Sequence, residues 1–168
     1  MSDPAQKAQN QLYTPEERER RDRSRWTLVQ GLLAPLQFFI FLVSLGLVLR
    51  FLATGEGFVA ASVSIIAKTV ALYTIMVTGA IWEREVFGCY LFAPAFFWED
   101  VVSMAVIALH TAYLWAFFTD GLDARQQMLL ALAAYATYVI NALQFLIKLR
   151  QARIQGRPDA QLMGGAST

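Results

Sequence analysis

Three acidic side chains that could carry proton-transfer chemistry interrupt the apolar part of this 168-residue chain. Glu83 closes one long apolar run, and Glu99 and Asp100 open the next. One carboxylic acid can protonate a reacting group while a second carboxylate takes a proton from water, so such groups suit general acid–base catalysis. Adjacent residues are about 100° apart around an α-helix, so Glu99 and Asp100 cannot both face one target. We predict all three as catalytic candidates and leave the roles of acid and base open.

These carboxyl groups also have a structural interpretation, as do the other polar residues of the apolar runs. Acidic residues in a first helical turn commonly stabilise the helix dipole, which applies to Glu99 and Asp100. Lys68 could bind a substrate, pair with an acidic residue or extend towards the interface. His110 could ligate a metal or hydrogen-bond to a neighbouring helix.

The remaining binding candidates are amide and aromatic side chains. Interior amides more often join helices than bind ligands. The aromatic stretch that contains Trp98 is typical of a membrane interface, although a flat macrocycle would use the same side chains. With Lys68 and His110, the substrate-binding candidates are Gln37, Trp98, Asn141 and Gln144.

The elements that must position these residues are four long apolar runs. Of the chain, 57% is hydrophobic and only 16% is charged, which is unusual for a soluble domain. A helix needs about 20 mostly apolar residues to cross a bilayer. The sequence therefore predicts an all-α integral membrane bundle of four transmembrane helices. The predicted spans are residues 28–52, 58–82, 95–118 and 128–147.

Charged residues indicate the orientation of this bundle and the nature of its ends. Lys and Arg concentrate in the N-terminal tail, after the second span and at the C-terminal end, so we predict that both termini are cytoplasmic. Residues 1–25 form a tail in which Thr14 and Glu17 predict a capping box that opens a short charged helix. Residues 26–150 form the four-helix domain, and residues 151–168 a disordered tail.

Charge and composition also argue against several functions. A formal net charge of +1 leaves no broad cationic surface, so we expect no nucleic-acid partner. Cys89 is the only cysteine, which excludes an internal disulfide and a cysteine-rich metal site. Because His110 is the only histidine, bis-histidine haem ligation within one chain is excluded as well.

Several motifs resemble those of the 3-vinyl (also called 2-vinyl) bacteriochlorophyllide hydratase family of bacteriochlorophyll biosynthesis. The resemblance covers roughly residues 12–150, and its most specific block is YLFAPAFFWED at residues 90–100. The other matching segments are LYTPEER at 12–18, VQG at 29–31, APLQF at 34–38, LATGEG at 52–57, KT at 68–69, YTIMVTG at 73–79, IWE at 81–83 and LHTAY at 109–113.

The resemblance implies a hydro-lyase that adds water to the C3 vinyl group of chlorophyllide a or a related bacteriochlorophyllide, giving a 3-(1-hydroxyethyl) product. It implies no cofactor, since magnesium belongs to the tetrapyrrole substrate. His110 would be the axial ligand of that magnesium, and Asn141 and Gln144 would contact ring carbonyl groups. We expect a bacterial inner membrane, either cytoplasmic or intracytoplasmic photosynthetic, and either a homo-oligomer or association with other pigment-biosynthesis enzymes.

Two other functions fit parts of the sequence. A non-catalytic membrane subunit for pigment binding or assembly would use the same aromatic residues and His110, but it would not need several carboxyl groups. A small subunit that anchors haem or quinone is the other alternative, and the single histidine argues against haem.

Overall fold

The computed structural model describes residues 12–155, and every regular element in that range is a helix. Four of the helices are long and apolar enough to cross a membrane, which confirms the predicted all-α bundle with four candidate spans. The helices are α1 (Pro15–Arg23), α2 (Arg25–Thr54), α3 (Phe58–Phe87), α4 (Phe97–Phe118) and α5 (Ala124–Gln155).

The long helices extend past the apolar runs at several ends, because backbone capping rather than hydrophobicity decides where they stop. α2 begins after Ser24, whose side chain accepts a hydrogen bond from the Trp26 amide. α2 and α3 end at Gly55 and Gly88, which take left-handed conformations with φ of 75° and 85°. Glycine adopts that conformation without the Cβ clash that other residues suffer, so it ends a helix readily.

The two chain ends relate differently to the predicted tails. α1 has the predicted capping box, because Thr14 Oγ1 accepts from the Glu17 amide and the Glu17 carboxylate accepts from the Thr14 amide. α5 continues to Gln155, so residues 151–155 are helical although we predicted disorder from residue 151. The predicted boundary followed the end of the apolar run at residue 147, whereas the helix itself continues through the polar residues that follow. The remaining residues of both predicted tails, 1–11 and 156–168, lie outside the described part of the chain.

The long helices form two antiparallel hairpins, α2 with α3 and α4 with α5, which pack against each other. Their shared core contains Phe41, Ile65, Leu72 and Val106. Large apolar side chains such as Phe39 cover the outside of the bundle, as expected for helices surrounded by lipid.

A second apolar cluster closes the end of the bundle where α1 lies, called here the α1 end. Its buried members are Tyr13, Val86 and Phe96. Tyr13 stacks on Phe87 with the ring centroids 5.7 Å apart. Because Phe96 directly precedes α4, this cluster fixes the loop of residues 88–96 between α3 and α4.

Candidate active site

Glu83 and Asp100 form a buried carboxyl pair at the α1 end. Glu83 lies in the last turns of α3 and Asp100 in the first turn of α4, so the short loop between those helices brings them together. The two carboxyl groups are at hydrogen-bonding range, with residue exposures of 6% and 2%. A hydrogen bond between two carboxyl groups needs a proton on one of them. The arrangement therefore suits one group as a proton donor and the other as an acceptor.

The loop of residues 88–96 covers this pair and holds it in place. The Phe92 amide donates to Asp100 Oδ2 at 2.7 Å, and the Ala93 amide reaches Glu83 Oε2 at 3.4 Å. Phe92 has a φ of 61°, which is costly for a bulky residue. Such strain persists only where the surroundings enforce it and is concentrated at functional sites.

Glu99 faces a different helix from Asp100, as the helical spacing predicts. Its Oε2 lies 3.5 Å from Lys148 Nζ of α5, and Lys148 also donates to the Ala95 carbonyl. Glu99 is 4% exposed, so this ion pair is shielded on the carboxylate side. Of the three predicted catalytic carboxyl groups, the structure thus brings together Glu83 and Asp100 and places Glu99 in an interhelical ion pair beside them.

Asn141 joins α4 to α5 next to the carboxyl groups. Its Nδ2 donates to the Glu99 carbonyl at 2.9 Å and to Ser103 Oγ at 3.0 Å. Both donor hydrogens of the amide therefore serve the protein itself. In the structure without substrate these contacts are interhelical, and the predicted contact of Asn141 with a ring carbonyl stays a prediction.

His110 and Lys68 lie further into the bundle and away from the carboxyl pair. Ten residues of α4 separate His110 from Asp100, which is about 15 Å of helix. His110 Nδ1 lies 2.8 Å from the Val106 carbonyl. Because a carbonyl only accepts, Nδ1 carries the hydrogen, and Nε2 keeps a free lone pair with no hydrogen-bond partner.

Lys68 occupies the same region and is 0% exposed. Its Nζ has no hydrogen-bond partner and lies 3.7 Å from the centroid of the Tyr138 ring. Lys68 interacts electrostatically with His110, whose ring is 5.9 Å from that of Tyr135. We call Lys68, His110, Tyr138 and their polar neighbours Ser62, Tyr113 and Tyr135 the mid-bundle cluster.

The other predicted binding residues are dispersed. Gln37 is buried on α2. Gln144 lies one turn beyond Asn141 on α5, and its Oε1 is buried without a hydrogen-bond partner. Trp98 is 68% exposed on the outside of the bundle, where an interfacial position is the simplest explanation.

Sequence reasoning missed the tyrosines and the partner of Glu99. Three tyrosines are buried within the apolar runs: Tyr113, Tyr135 and Tyr138. A buried tyrosine usually finds a polar partner, so their hydroxyl groups could have indicated polar sites inside the bundle. Tyr135 Oη lies 2.5 Å from Ser44 Oγ. In the sequence, Lys148 contributed only to the positive charge that indicates the orientation of the bundle. Nothing local in the sequence indicated its pairing with Glu99.

Comparison with known proteins bears directly on this site. The profile of the family described as 2-vinyl bacteriochlorophyllide hydratase matches residues 13–151, which include every predicted site residue. The chain belongs to this family. Two relatives with the name 2-vinyl bacteriochlorophyllide hydratase support the membership. The protein from Cereibacter sphaeroides is 73% identical over 143 residues, covering 85% of this chain and 89% of the relative.

The second relative, from Rhodobacter capsulatus, is 69% identical over 156 residues and covers 93% of this chain and 89% of its own length. No solved structure matches the chain. Membership makes this chain a hydratase of bacteriochlorophyll biosynthesis, an enzyme of the hydro-lyase class.

Hydration of a carbon–carbon double bond requires a proton donor and a group that takes a proton from water. Within the described residues of this family member, Glu83 and Asp100 are the two carboxyl groups in direct contact. The carboxyl pair is therefore the part of the hydratase that best matches the chemistry, and the mid-bundle cluster is a separate group of polar side chains.

Proposed function

We propose that this hydratase adds water to the C3 vinyl group of chlorophyllide a or a related bacteriochlorophyllide, which gives the 3-(1-hydroxyethyl) product. The observation that carries the proposal is the buried contact between Glu83 and Asp100. The names of the two relatives support the substrate class, since both are called 2-vinyl bacteriochlorophyllide hydratases.

In the proposed mechanism the pair begins with one proton between its two carboxyl groups. The proton moves to the terminal vinyl carbon, and the double-bond electrons form the new carbon–hydrogen bond. The internal carbon becomes a cation that the macrocycle delocalises. Water then bonds to that carbon, and a carboxylate of the pair takes its surplus proton. The pair ends with the one proton with which it began, so no other reactant is needed.

Positioning of the pair falls to its neighbours in this proposal. An ion-paired carboxylate has no proton to give, so Glu99 with Lys148 orients the start of α4 rather than acting as the acid. The amides of Phe92 and Ala93 hold one oxygen of each carboxyl group. A substrate reaches the pair when the loop that carries these amides moves, because the loop covers it.

His110 is proposed as the axial ligand of the substrate magnesium. Its Nε2 has a free lone pair and no partner, while the bond from Nδ1–H to Val106 fixes the ring. Neutral imidazole of this tautomer is the form that ligates metals. No cofactor enters the proposal, because the proton is recycled within the carboxyl pair.

The setting of the reaction is also proposed. The protein spans a membrane several times, and we assign that membrane to the inner membrane of a photosynthetic bacterium, because both relatives take part in bacteriochlorophyll synthesis by name. We place both termini in the cytoplasm on the distribution of Lys and Arg. A homo-oligomer or an association with other pigment-biosynthesis enzymes would allow the pigment to pass on within the bilayer.

The test is incubation of the purified protein with chlorophyllide a in water labelled with oxygen-18. A hydratase places one labelled oxygen in the product, which mass spectrometry detects. A pigment carrier or assembly subunit binds the chlorophyllide and returns it unlabelled. Binding without label would refute the proposed reaction, and the protein treated with heat provides the control for uncatalysed addition.

A further inference from the structure

Polar atoms without partners gather in the mid-bundle cluster, which the proton-transfer mechanism does not use. Four buried atoms have no hydrogen-bond partner within residues 12–155: Lys68 Nζ, His110 Nε2, Tyr113 Oη and Ser62 Oγ. Lys68, His110 and Tyr113 are each 0% exposed. Buried polar groups are normally satisfied, so several unsatisfied groups together indicate a site that something else completes.

Most atoms of this cluster can donate hydrogen bonds, and the Lys68 amine is positively charged when it is protonated. An ammonium group has three donor hydrogens, and the hydroxyl groups of Tyr113 and Ser62 face each other without closing a regular hydrogen bond. Only His110 Nε2 must accept, and the proposed ligation of magnesium already uses that lone pair. A ligand with acceptor oxygens would satisfy these donors, and a negative charge on it would stabilise the ammonium form of Lys68.

Lys68 lacks a counter-ion within the described part of the chain. It contacts the Tyr138 ring and interacts with His110, neither of which carries negative charge. Fifteen residues of α3, about 22 Å of helix, separate Lys68 from Glu83. A buried ammonium without an anion is costly, and the face of Tyr138 offsets only part of that cost.

A chain of contacts on α5 connects this cluster to the carboxyl pair. Tyr138, which contacts Lys68 Nζ, lies three residues from Asn141 on α5, a rise of about 4.5 Å. Asn141 in turn binds the backbone of Glu99, next to Asp100. One flat molecule could therefore reach Lys68 at one edge while its other edge lies near the carboxyl pair.

We propose that Lys68 is the counter-ion for the free carboxylate of the tetrapyrrole substrate, with the Tyr113 hydroxyl group as a second donor. The inference rests on the proposed function for the identity of the ligand. A chlorophyllide, unlike an esterified chlorophyll, has a free propionate side chain. Binding supplies the negative charge that Lys68 lacks, so the site selects the free acid over its ester.

The experiment compares chlorophyllide a with its methyl ester as ligands of the full-length protein in nanodiscs. Equilibrium constants come from absorbance titrations, which need no turnover. We expect the wild type to bind the free acid at least about tenfold more tightly. The ratio falls to near one in Lys68→Met and is partly kept in Lys68→Arg. Because each ratio is measured within one variant, a loss of folded protein cancels.

Lys148→Met is the matched control, since it makes the same substitution at a partly exposed lysine that already has Glu99 as its partner. It should keep the wild-type ratio. Wild-type discrimination in Lys68→Met, or no discrimination in the wild type, would overturn the inference. If Lys148→Met, and not Lys68→Met, lost the preference for the free acid over the ester, the substrate carboxylate would bind at the α1 end. That result would also overturn the inference.

The two proposals fail in different ways. A protein that prefers the free acid through Lys68 but incorporates no labelled oxygen refutes the proposed reaction and leaves the carboxylate site intact. A protein that hydrates and binds acid and ester equally well refutes the carboxylate site alone.

Discussion

Replacing one oxygen of Glu83 by nitrogen is the most selective perturbation of the carboxyl pair. Glu83→Gln keeps the length of the side chain, and its remaining oxygen can still accept from the Ala93 amide, now 3.4 Å from Glu83 Oε2. The new amide can donate to Asp100, so the contact between α3 and α4 survives. The pair loses its transferable proton, however, because an amide does not give one up.

The expected loss follows from the role of that proton. A positioned general acid or base typically contributes a factor of about 10² to 10⁴ in rate. That range corresponds to about 2.7–5.4 kcal/mol of activation free energy. Since the substitution preserves the packing of α3, we expect folding and pigment binding to change little by comparison. The variant should bind chlorophyllide and hydrate it slowly.

The assay is the rate of hydroxyethyl product formation per mole of folded protein in nanodiscs. Glu85→Gln is the matched control, because it makes the same chemical change two residues along α3 at an exposed carboxyl group, which accepts from Ser24. The control should keep the wild-type rate. Wild-type activity in Glu83→Gln, or an equal loss in Glu85→Gln, would refute the assignment of proton transfer to the pair.

Three further predictions concern stability, pH and topology. Asn141→Leu removes two interhelical hydrogen bonds, so at about 0.6 kcal/mol each it should lower the unfolding free energy by about 1 kcal/mol; an unchanged denaturation midpoint would contradict this. Burial raises the pKa of Tyr13 above its ordinary 10.0, so the docking of the N-terminal segment is fully stabilised below pH 10.0 and weakens above it as the phenol ionises. Tyr13→Phe should abolish this alkaline step in tryptophan fluorescence, and its persistence would point to another group. Cys89, in the loop at the α1 end, should react with a membrane-impermeant thiol reagent in inverted vesicles but not in intact spheroplasts, and the reverse pattern would invert the topology.

Part of the candidate site follows from helical geometry alone. The spacing of about 100° between Glu99 and Asp100 required them to face different neighbours, and they do, with Lys148 and Glu83 respectively. The positions of Glu83 near the end of one apolar run and Asp100 at the start of the next predicted a similar depth. These deductions succeed because they depend on periodicity and on short connections, which are local properties of the chain.

Other parts of the site depend on how the helices rotate and pack. The side-chain amide of Asn141 donates to the backbone of α4, and Trp98 lies on the outer surface. Neither position followed from the sequence, and the predicted role of both residues in substrate binding stays a prediction. A helix that is apolar on nearly every side has no distinct face for the core, so its sequence does not indicate how it is rotated about its own axis. In the sequence, Lys68 and His110 are isolated polar residues. In the structure, the packing of three helices places them beside the buried tyrosines.

The sequence by itself determined the class of protein, the number of spanning helices and the few residues that carry charge at membrane depth. Hydrophobic run length and the cost of burying charge are sufficient for that. Only the tertiary structure decided that Glu83 pairs with Asp100, that Glu99 pairs with Lys148 and that Lys68 has no anion beside it among residues 12–155. These facts are distances between side chains on different helices, which are set by packing of the whole bundle rather than by any one segment.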